Sequence, residues 1–187
     1  MIVLYLFCIG CDSKNEIQDY KVQKHKVKIQ NNKQVRNKKL AWTQPGNWHE
    51  KEASGMRLAN FIIKNKSDKN NAECYVFVFS GDGGGVIPNI KRWYSQMNKK
   101  FPGPKAALDK SLSLKIAHRN AILVDIKGVY KKLGIGKPHT NYRMLGTIIQ
   151  TNKNTIFIKF IGPTSIISKE YQNYLTFCKS IRITGAF

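Results

Sequence analysis

The chain has 187 residues and 42% apolar content, which suits one domain with a sizeable core and an extension. Its 32 Lys and Arg residues outnumber 11 Asp and Glu residues, and the formal net charge of +21 favours anionic partners: nucleic acid, anionic lipid head groups or polyanionic envelope polymers. Lys outnumbers Arg by 26 to 6, whereas proteins that read phosphates and base edges are usually rich in Arg, so nucleic acid is the least favoured of these partners.

The first eleven residues form an uncharged apolar run that ends in Gly10 and Cys11, and a polar segment follows from Asp12. This pattern is typical of a bacterial lipoprotein signal, in which a small residue precedes the cleavage site and Cys11 becomes the lipid-bearing N-terminus. We therefore expect acylation at Cys11 and a place in the bacterial cell envelope, anchored to a membrane and facing the periplasm or the exterior.

The same run has a second interpretation. It is short for an export signal and no Lys or Arg precedes it, so a buried apolar strand over residues 2–9 is the alternative. A start upstream of Met1 would supply the missing parts of a signal. A spanning helix is excluded in either case, since about 20 apolar residues are needed to cross a bilayer.

The segment 12–39 contains nine Lys and Arg residues, three acidic residues and few large apolar side chains. Such a segment cannot bury enough apolar surface to offset the entropy lost on ordering, so we predict a basic flexible tether. Its charge could also hold the protein to an anionic leaflet or an envelope polymer, at about 1 kcal/mol per cation near the surface. A merely solvated linker is the alternative. The predicted domain then covers 40–187.

Seven segments of the domain have strand character, and most are separated by short polar turns that predict antiparallel hairpins. Two further segments show helical spacing, over about 88–100 and 162–179. Arg119 and Asn120 are the expected turn of the second hairpin, and residues 131–141 are expected to form a basic loop. The class is therefore α+β, with helices packed on a twisted antiparallel sheet of six to seven strands. The expected strands are 56–64, 72–80, 112–118, 121–130, 142–150, 155–161 and 180–184.

The strongest local motif of the domain is Gly81–Gly85, which follows a predicted strand and precedes a helix. Consecutive glycines can adopt positive φ, and amides at a helix start can hold an anion. The motif lacks the Lys and Ser/Thr of a P-loop, and Asp82 would repel a phosphate. A tight crossing from strand to helix is the structural alternative.

A polar strip of Asn89, Arg92 and Gln96 follows this loop on one side of the helix, because its members are three and four residues apart. Such a strip could line a binding cleft or could tie the helix to neighbouring loops. The candidate binding residues are Gly83, Gly84, Gly85, Asn89, Arg92 and Trp93.

No catalytic set can be assembled from the sequence, so we do not predict an enzyme. Ser80 lacks the nucleophile elbow, and acids such as Asp125 have no visible partner. The chain has no CxxC pair and its four His are scattered, so neither a metal site nor a cofactor is predicted. Cys74 and Cys178 are expected to be buried thiols, which could pair in an oxidising compartment if the fold brings them together.

Taken together, several short motifs resemble a family of exported bacterial proteins, often lipoproteins, and the resemblance extends over about residues 42–183. It implies a PsbP/Mog1-like domain, an antiparallel sheet between helices. Proteins of that fold class act mostly as extrinsic subunits or binding partners rather than as enzymes, although fold alone does not determine function. The motifs are Trp42-x-x-Pro45-x-x-Trp48, Ser54–Ala59, Gly81–Gly85 with Asn89, Arg92, Trp93 and Gln96, Arg143–Gly146, Phe157-x-Lys159-Phe160-x-Gly162-Pro163, and Phe177 with Ser180–Arg182.

The leading prediction is a lipid-anchored envelope protein that acts as a non-catalytic binding or accessory subunit of a larger complex. We expect recognition of a protein partner at the Gly81–Gly85 loop and the helix that follows it. The alternative is a small-ligand or anion-binding protein, or an enzyme, that uses the same loop. Nucleic-acid binding is a third and less favoured interpretation.

Overall fold

The computed structural model describes residues 40–64, 70–131 and 137–184. The predicted signal with Cys11, the tether 12–39 and the centre of the predicted basic loop lie outside the described residues. Nine strands and four helices are present in the described ranges. They are β1 (Leu40–Ala41), β2 (His49–Lys51), β3 (Arg57–Ile63), β4 (Ala72–Ser80), α1 (Val86–Gln96), α2 (Pro104–Asp109), β5 (Leu112–Ile116), β6 (Arg119–Tyr130), β7 (His139–Gln150), β8 (Asn154–Pro163), α3 (Thr164–Lys169), α4 (Tyr171–Lys179) and β9 (Arg182–Ile183).

Seven strands form one antiparallel sheet in the order β2-β3-β4-β8-β7-β6-β5. Sequence neighbours pair as hairpins, except that β4 pairs with the distant β8. The predicted α+β class, with an antiparallel sheet flanked by helices, is confirmed. β1 and β9 form a separate two-stranded sheet, so the expected C-terminal strand is shorter than predicted and does not join the main sheet.

Helices cover both faces of the sheet, because alternate residues of the central strands point to opposite sides. On β7, Leu145 and Ile149 pack in a core with α3 and α4, whereas Met144 and Ile148 pack in a second core with α1 and α2. The first core also contains the aromatic residues Trp48, Phe61, Phe160, Tyr174 and Phe177, and the second contains Tyr75, Trp93, Tyr142 and Phe157.

The hairpin between β5 and β6 turns at Ala117 and His118, not at the predicted Arg119–Asn120. Both turn residues have positive φ, 48° and 61°. Ile116 pairs directly with Arg119 across the turn. A two-residue hairpin loop favours positive φ at both positions because that backbone matches the twist of the flanking strands. Neither residue is a glycine, which is why composition indicated a different position.

Four further boundaries differ from the sequence prediction. Gly162 and Pro163 belong to β8, so the helix begins later, at Thr164, and the predicted long helix is divided at Glu170 into α3 and α4. β7 begins at His139, so the predicted loop 131–141 is shorter than expected. α1 ends at Gln96 and not near Lys100. The short helix α2 was not expected, because the Pro and Gly residues around it indicate a break.

Glu170 is a buried carboxylate at the junction of α3 and α4, with 5% of its surface exposed. It accepts hydrogen bonds from Asn47 Nδ2 at 2.7 Å, Trp48 Nε1 at 3.1 Å and Asn173 Nδ2 at 2.8 Å. A buried charge needs such donors to offset the loss of hydration. The carboxylate therefore joins the segment before β2 to the helical layer.

None of the helices in the described ranges combines the length and the apolar character that crossing a bilayer requires.

Candidate functional site

The Gly81–Gly85 segment makes a tight crossing from β4 to α1. Gly81, Gly83, Gly84 and Gly85 all have positive φ. The segment also lies close to the sheet, since a Cβ built on Gly83 would be 2.6 Å from Cε2 of the Phe157 ring. Only glycine meets both requirements at that position.

Most amides of this segment are engaged inside the chain. Gly81 N donates to Lys153 O at 2.7 Å, Gly84 N to Asp82 Oδ1 at 2.9 Å, and Gly85 N to Asp82 O at 3.1 Å. Asp82 thus stabilises the conformation of the segment with its side chain and its carbonyl group. These three amides already donate hydrogen bonds within the chain, so an anion would have to bind to other groups.

Asn89 ties the crossing to α1. Its side chain is buried, and its Nδ2 donates to Gly83 O at 3.0 Å and to Gly85 O at 2.6 Å. Its Oδ1 accepts from Arg92 Nη2 at 2.6 Å. Hydrogen bonds of the Asn89 side chain therefore connect four of the six candidate residues, and the exposed member that carries charge is Arg92.

Trp93 points the other way, into the core. It is 6% exposed, and its ring lies against Gly146 and meets Phe157 edge to face at 6.3 Å and 89°. A partner could touch little of this ring. The role that its position supports is to seat α1 on the sheet and so to position Arg92.

Arg92 belongs to a group of three cations that we call the cationic cluster: Arg57 on β3, Arg92 on α1 and Lys159 on β8. Lys159 is half-buried, and its Nζ donates to Gln96 Oε1 at 2.5 Å, one turn along α1 from Arg92. Lys159 is also the cross-strand partner of Tyr75. The guanidinium of Arg57 lies over that same Tyr75 ring, 4.0 Å from its centroid.

The electrostatics of the cluster are those of unneutralised positive charge. The pKa of Lys159 falls from its ordinary 10.5 to about 8, mainly because burial removes water from the ammonium and further because Arg57 and Arg92 repel it. Among the described residues, no carboxylate forms an ion pair with any of the three cations. The cluster is thus ready to accept negative charge.

Two further groups border the cluster. Asn60 on β3 pairs with Tyr75, and its buried Oδ1 is without a hydrogen-bond partner among the described residues. The ring of Tyr130 is 5.6 Å from Lys159 Nζ. The pKa of Tyr130 is raised, mainly by burial and also by the charge of Glu73, so its hydroxyl stays protonated and neutral near physiological pH.

Sequence reasoning did not assign Arg57 or Lys159 to the site, although each belongs to a motif of the family resemblance, whereas the predicted polar strip already includes Gln96. They come together only because β3, β4 and β8 are adjacent in the sheet and α1 packs above them. Each residue separately resembles an ordinary exposed polar position. The available signal was the presence of cations inside apolar strand patterns.

The remaining candidates for chemistry have structural roles. Asp125 is not isolated, as the sequence suggested, but forms a two-point ion pair with Arg143 at 2.6 and 2.9 Å. Cys74 and Cys178 are buried free thiols, and burial raises the pKa of Cys178 to about 12. No cluster of three His, Cys, Asp or Glu residues suited to a metal is found in the part of the chain that the structure describes.

No family model matches the chain, and no curated protein matches it. Among solved structures, it is similar to a protein of Bacteroides thetaiotaomicron VPI-5482, with 14% identity and a TM-score of 0.44 over 78% of this chain. The match covers 45% of the Bacteroides chain, so this chain spans less than half of that protein.

Two other similar structures are covered over most of their length. One is LpqN of Mycobacterium tuberculosis, described as involved in cell envelope biogenesis, with 11% identity and a TM-score of 0.49 over 78% of this chain and 83% of LpqN. The other is the solution structure of PsbP from the cyanobacterium Synechocystis sp. PCC 6803, with 10% identity and a TM-score of 0.45 over 78% of this chain and 93% of PsbP. The α+β fold thus has PsbP-like neighbours, and these similarities concern the fold alone.

Proposed function

We propose that this chain is a non-catalytic binding or accessory protein of the bacterial cell envelope, which recognises an anionic partner through the cationic cluster. In this proposal a lipid on Cys11 anchors the protein and the basic segment 12–39 connects the anchor to the domain. The observation that carries the recognition step is that Arg57, Arg92 and Lys159 converge without a carboxylate to neutralise them.

Holding these three cations near one another costs free energy. The half-buried ammonium of Lys159 loses hydration and is repelled by both guanidinium groups. Structural charges in proteins are usually paired, as Asp125 and Arg143 are here. Unpaired groups with shifted pKa values cluster at functional sites, where a ligand supplies the missing charge. An anionic group of a partner is the complement that these side chains lack.

Site-specific photo-cross-linking in the native host tests the recognition step. A benzoylphenylalanine in place of the exposed Ser95, three residues from Arg92 on α1, leaves the cluster intact and should trap a discrete partner in the envelope fraction. The same probe in place of the exposed Lys169, on the helical layer that covers the opposite face, should not. Adding Arg57→Ser and Lys159→Met to the position-95 protein should abolish the cross-link. Equal cross-linking from both positions, or none from position 95, would contradict the proposal.

The anchor is tested separately by the intact mass of the N-terminal peptide from the membrane fraction. A diacylated or triacylated Cys11 is expected. An unmodified Met1 in the soluble fraction would remove the anchor from the proposal, and nucleic acid would then become the first anionic partner to test against the +21 charge.

A further inference from the structure

We propose that the cationic cluster is a binding site for the phosphate group of a phosphate monoester, held by Arg57, Arg92 and Lys159 beside the buried amide of Asn60. This inference rests on the proposed function and names the chemistry of the anion. The Gly81–Gly85 segment positions Arg92 but does not itself supply the donors.

The charge of the cluster favours a phosphate monoester over a single carboxylate. Two guanidinium groups and one ammonium converge, and none is neutralised by a described carboxylate. One carboxylate would leave most of that charge uncompensated. A phosphate monoester carries about −1.5 to −2 charges at neutral pH and has three strong acceptor oxygens. One phosphate group could therefore compensate most of the charge of the cluster.

The cations are held in orientations that leave donors for such a group. The guanidinium of Arg57 lies over the Tyr75 ring, and this contact does not use its N–H groups. Arg92 is oriented by one hydrogen bond from its Nη2 to Asn89. Lys159 donates one hydrogen bond, to Gln96, out of the three that an ammonium can make. The binding groups are thus preorganised, which reduces the entropy lost on binding.

Asn60 provides a second and independent observation. It is 6% exposed, and its Oδ1 is buried without a hydrogen-bond partner among the described residues. Asn60, Tyr75 and Lys159 occupy one cross-strand row and so project from the same face of the sheet. A buried amide oxygen left unpaired costs about 1–3 kcal/mol. A ligand hydroxyl next to the phosphate, as in a polyol phosphate, would supply the missing donor.

Calorimetric titration of the full chain carrying Cys11→Ser tests this site. The probes are inorganic phosphate and glycerol 3-phosphate, with succinate as the carboxylate comparison. Vesicles of phosphatidylcholine with and without phosphatidic acid form a separate arm. We expect Lys159→Met and Arg57→Gln each to raise the Kd for glycerol 3-phosphate by about tenfold or more. Lys91→Gln removes one exposed charge beside the cluster and should change the Kd by less than about twofold.

The arms separate the sources of the phosphate. Binding of glycerol 3-phosphate alone supports a soluble ester, and binding only to phosphatidic acid vesicles supports a lipid head group. Equal Kd values for the parent protein, Lys159→Met and Arg57→Gln would overturn the site, because the anion would then bind elsewhere, for example to the tether. Succinate binding as tightly as the phosphates would overturn the phosphate assignment. If either happens while the position-95 cross-link persists, the proposed function still stands.

Discussion

The ring of Trp93 on α1 lies directly against Gly146 on β7. A Cβ built on Gly146 would collide with three ring atoms, Cζ3, Cε3 and Cη2. The absence of a side chain at this position therefore sets the distance between α1 and the sheet. Because Arg92 and Gln96 are on the same helix, this contact also determines how far these two residues lie from the sheet.

Gly146→Ala should destabilise the protein by about 1–3 kcal/mol, because the added methyl group overpacks the contact with Trp93. It should also weaken binding of glycerol 3-phosphate, since α1 must move. Urea unfolding followed by Trp fluorescence measures the first effect. Gly46→Ala is the matched control, because a Cβ there meets nothing within 4 Å. Equal stability of the two variants would contradict the packing argument.

Glu170→Ala should destabilise the domain by about 1–3 kcal/mol. The change removes the acceptor of three hydrogen bonds and leaves the buried Trp48 indole N–H without a partner. Glu52→Ala, at an exposed position, should have little effect. Chemical denaturation of both variants is the measurement. A loss of stability for Glu170→Ala no larger than for Glu52→Ala would show that this carboxylate does not hold the segment before β2 to the helical layer.

Lys159→Met should stabilise the protein at neutral pH by about 1–2 kcal/mol, although it weakens anion binding. The substitution keeps the side-chain volume and removes a half-buried charge that is repelled by Arg57 and Arg92. Lys91→Met, which removes an exposed cation, should be nearly neutral. Unfolding midpoints without added anion provide the test. A destabilised Lys159→Met would mean that this lysine stabilises the fold and is not a strained binding group.

The stabilisation that Lys159→Met provides should decrease as the pH rises from 8 to 10.5. In the folded protein Lys159 loses its proton at a pKa of about 8, whereas its ordinary pKa is 10.5. Between these values the unfolded chain binds more protons, so the contribution of Lys159 to stability increases with pH. The charged and titratable groups around it are Arg57, Arg92, Tyr130 and Glu73. A difference in unfolding free energy between parent and variant that stays constant over this pH range would contradict the shifted pKa of Lys159.

Cys74 and Cys178 should resist alkylation in the folded protein. Burial raises the pKa of both thiols, of Cys178 to about 12, so neither forms the reactive thiolate at mildly alkaline pH. In a Cys8→Ser, Cys11→Ser background, the intact mass should show no iodoacetamide adduct until urea is added, and then adducts on both. Loss of two hydrogens from the mass would instead reveal a disulfide.

The local pattern of residue types was sufficient to predict much of the secondary structure. The bounds predicted for β4 coincide with Ala72–Ser80, and the pattern of β-branched and aromatic residues also located β3, β6 and β8. Hairpin spacing was sufficient for the α+β class, since short turns require antiparallel neighbours. The turn at Ala117–His118 and the division at Glu170 were missed, because both depend on backbone geometry that residue type does not specify.

The apolar run that ends in Gly10 and Cys11, the basic composition of residues 12–39 and the charge of +21 are determined by the sequence itself, because they depend on composition and order alone. The cationic cluster was decided only by the tertiary structure. Arg57, Arg92 and Lys159 are far apart in the chain. They come together because of the strand order in the sheet and because α1 packs on the sheet at Gly146. The same contact holds Trp93 in the core, although the sequence analysis includes it among the candidate binding residues. Periodicity reports which face a residue occupies, whereas long-range strand pairing determines which residues share that face.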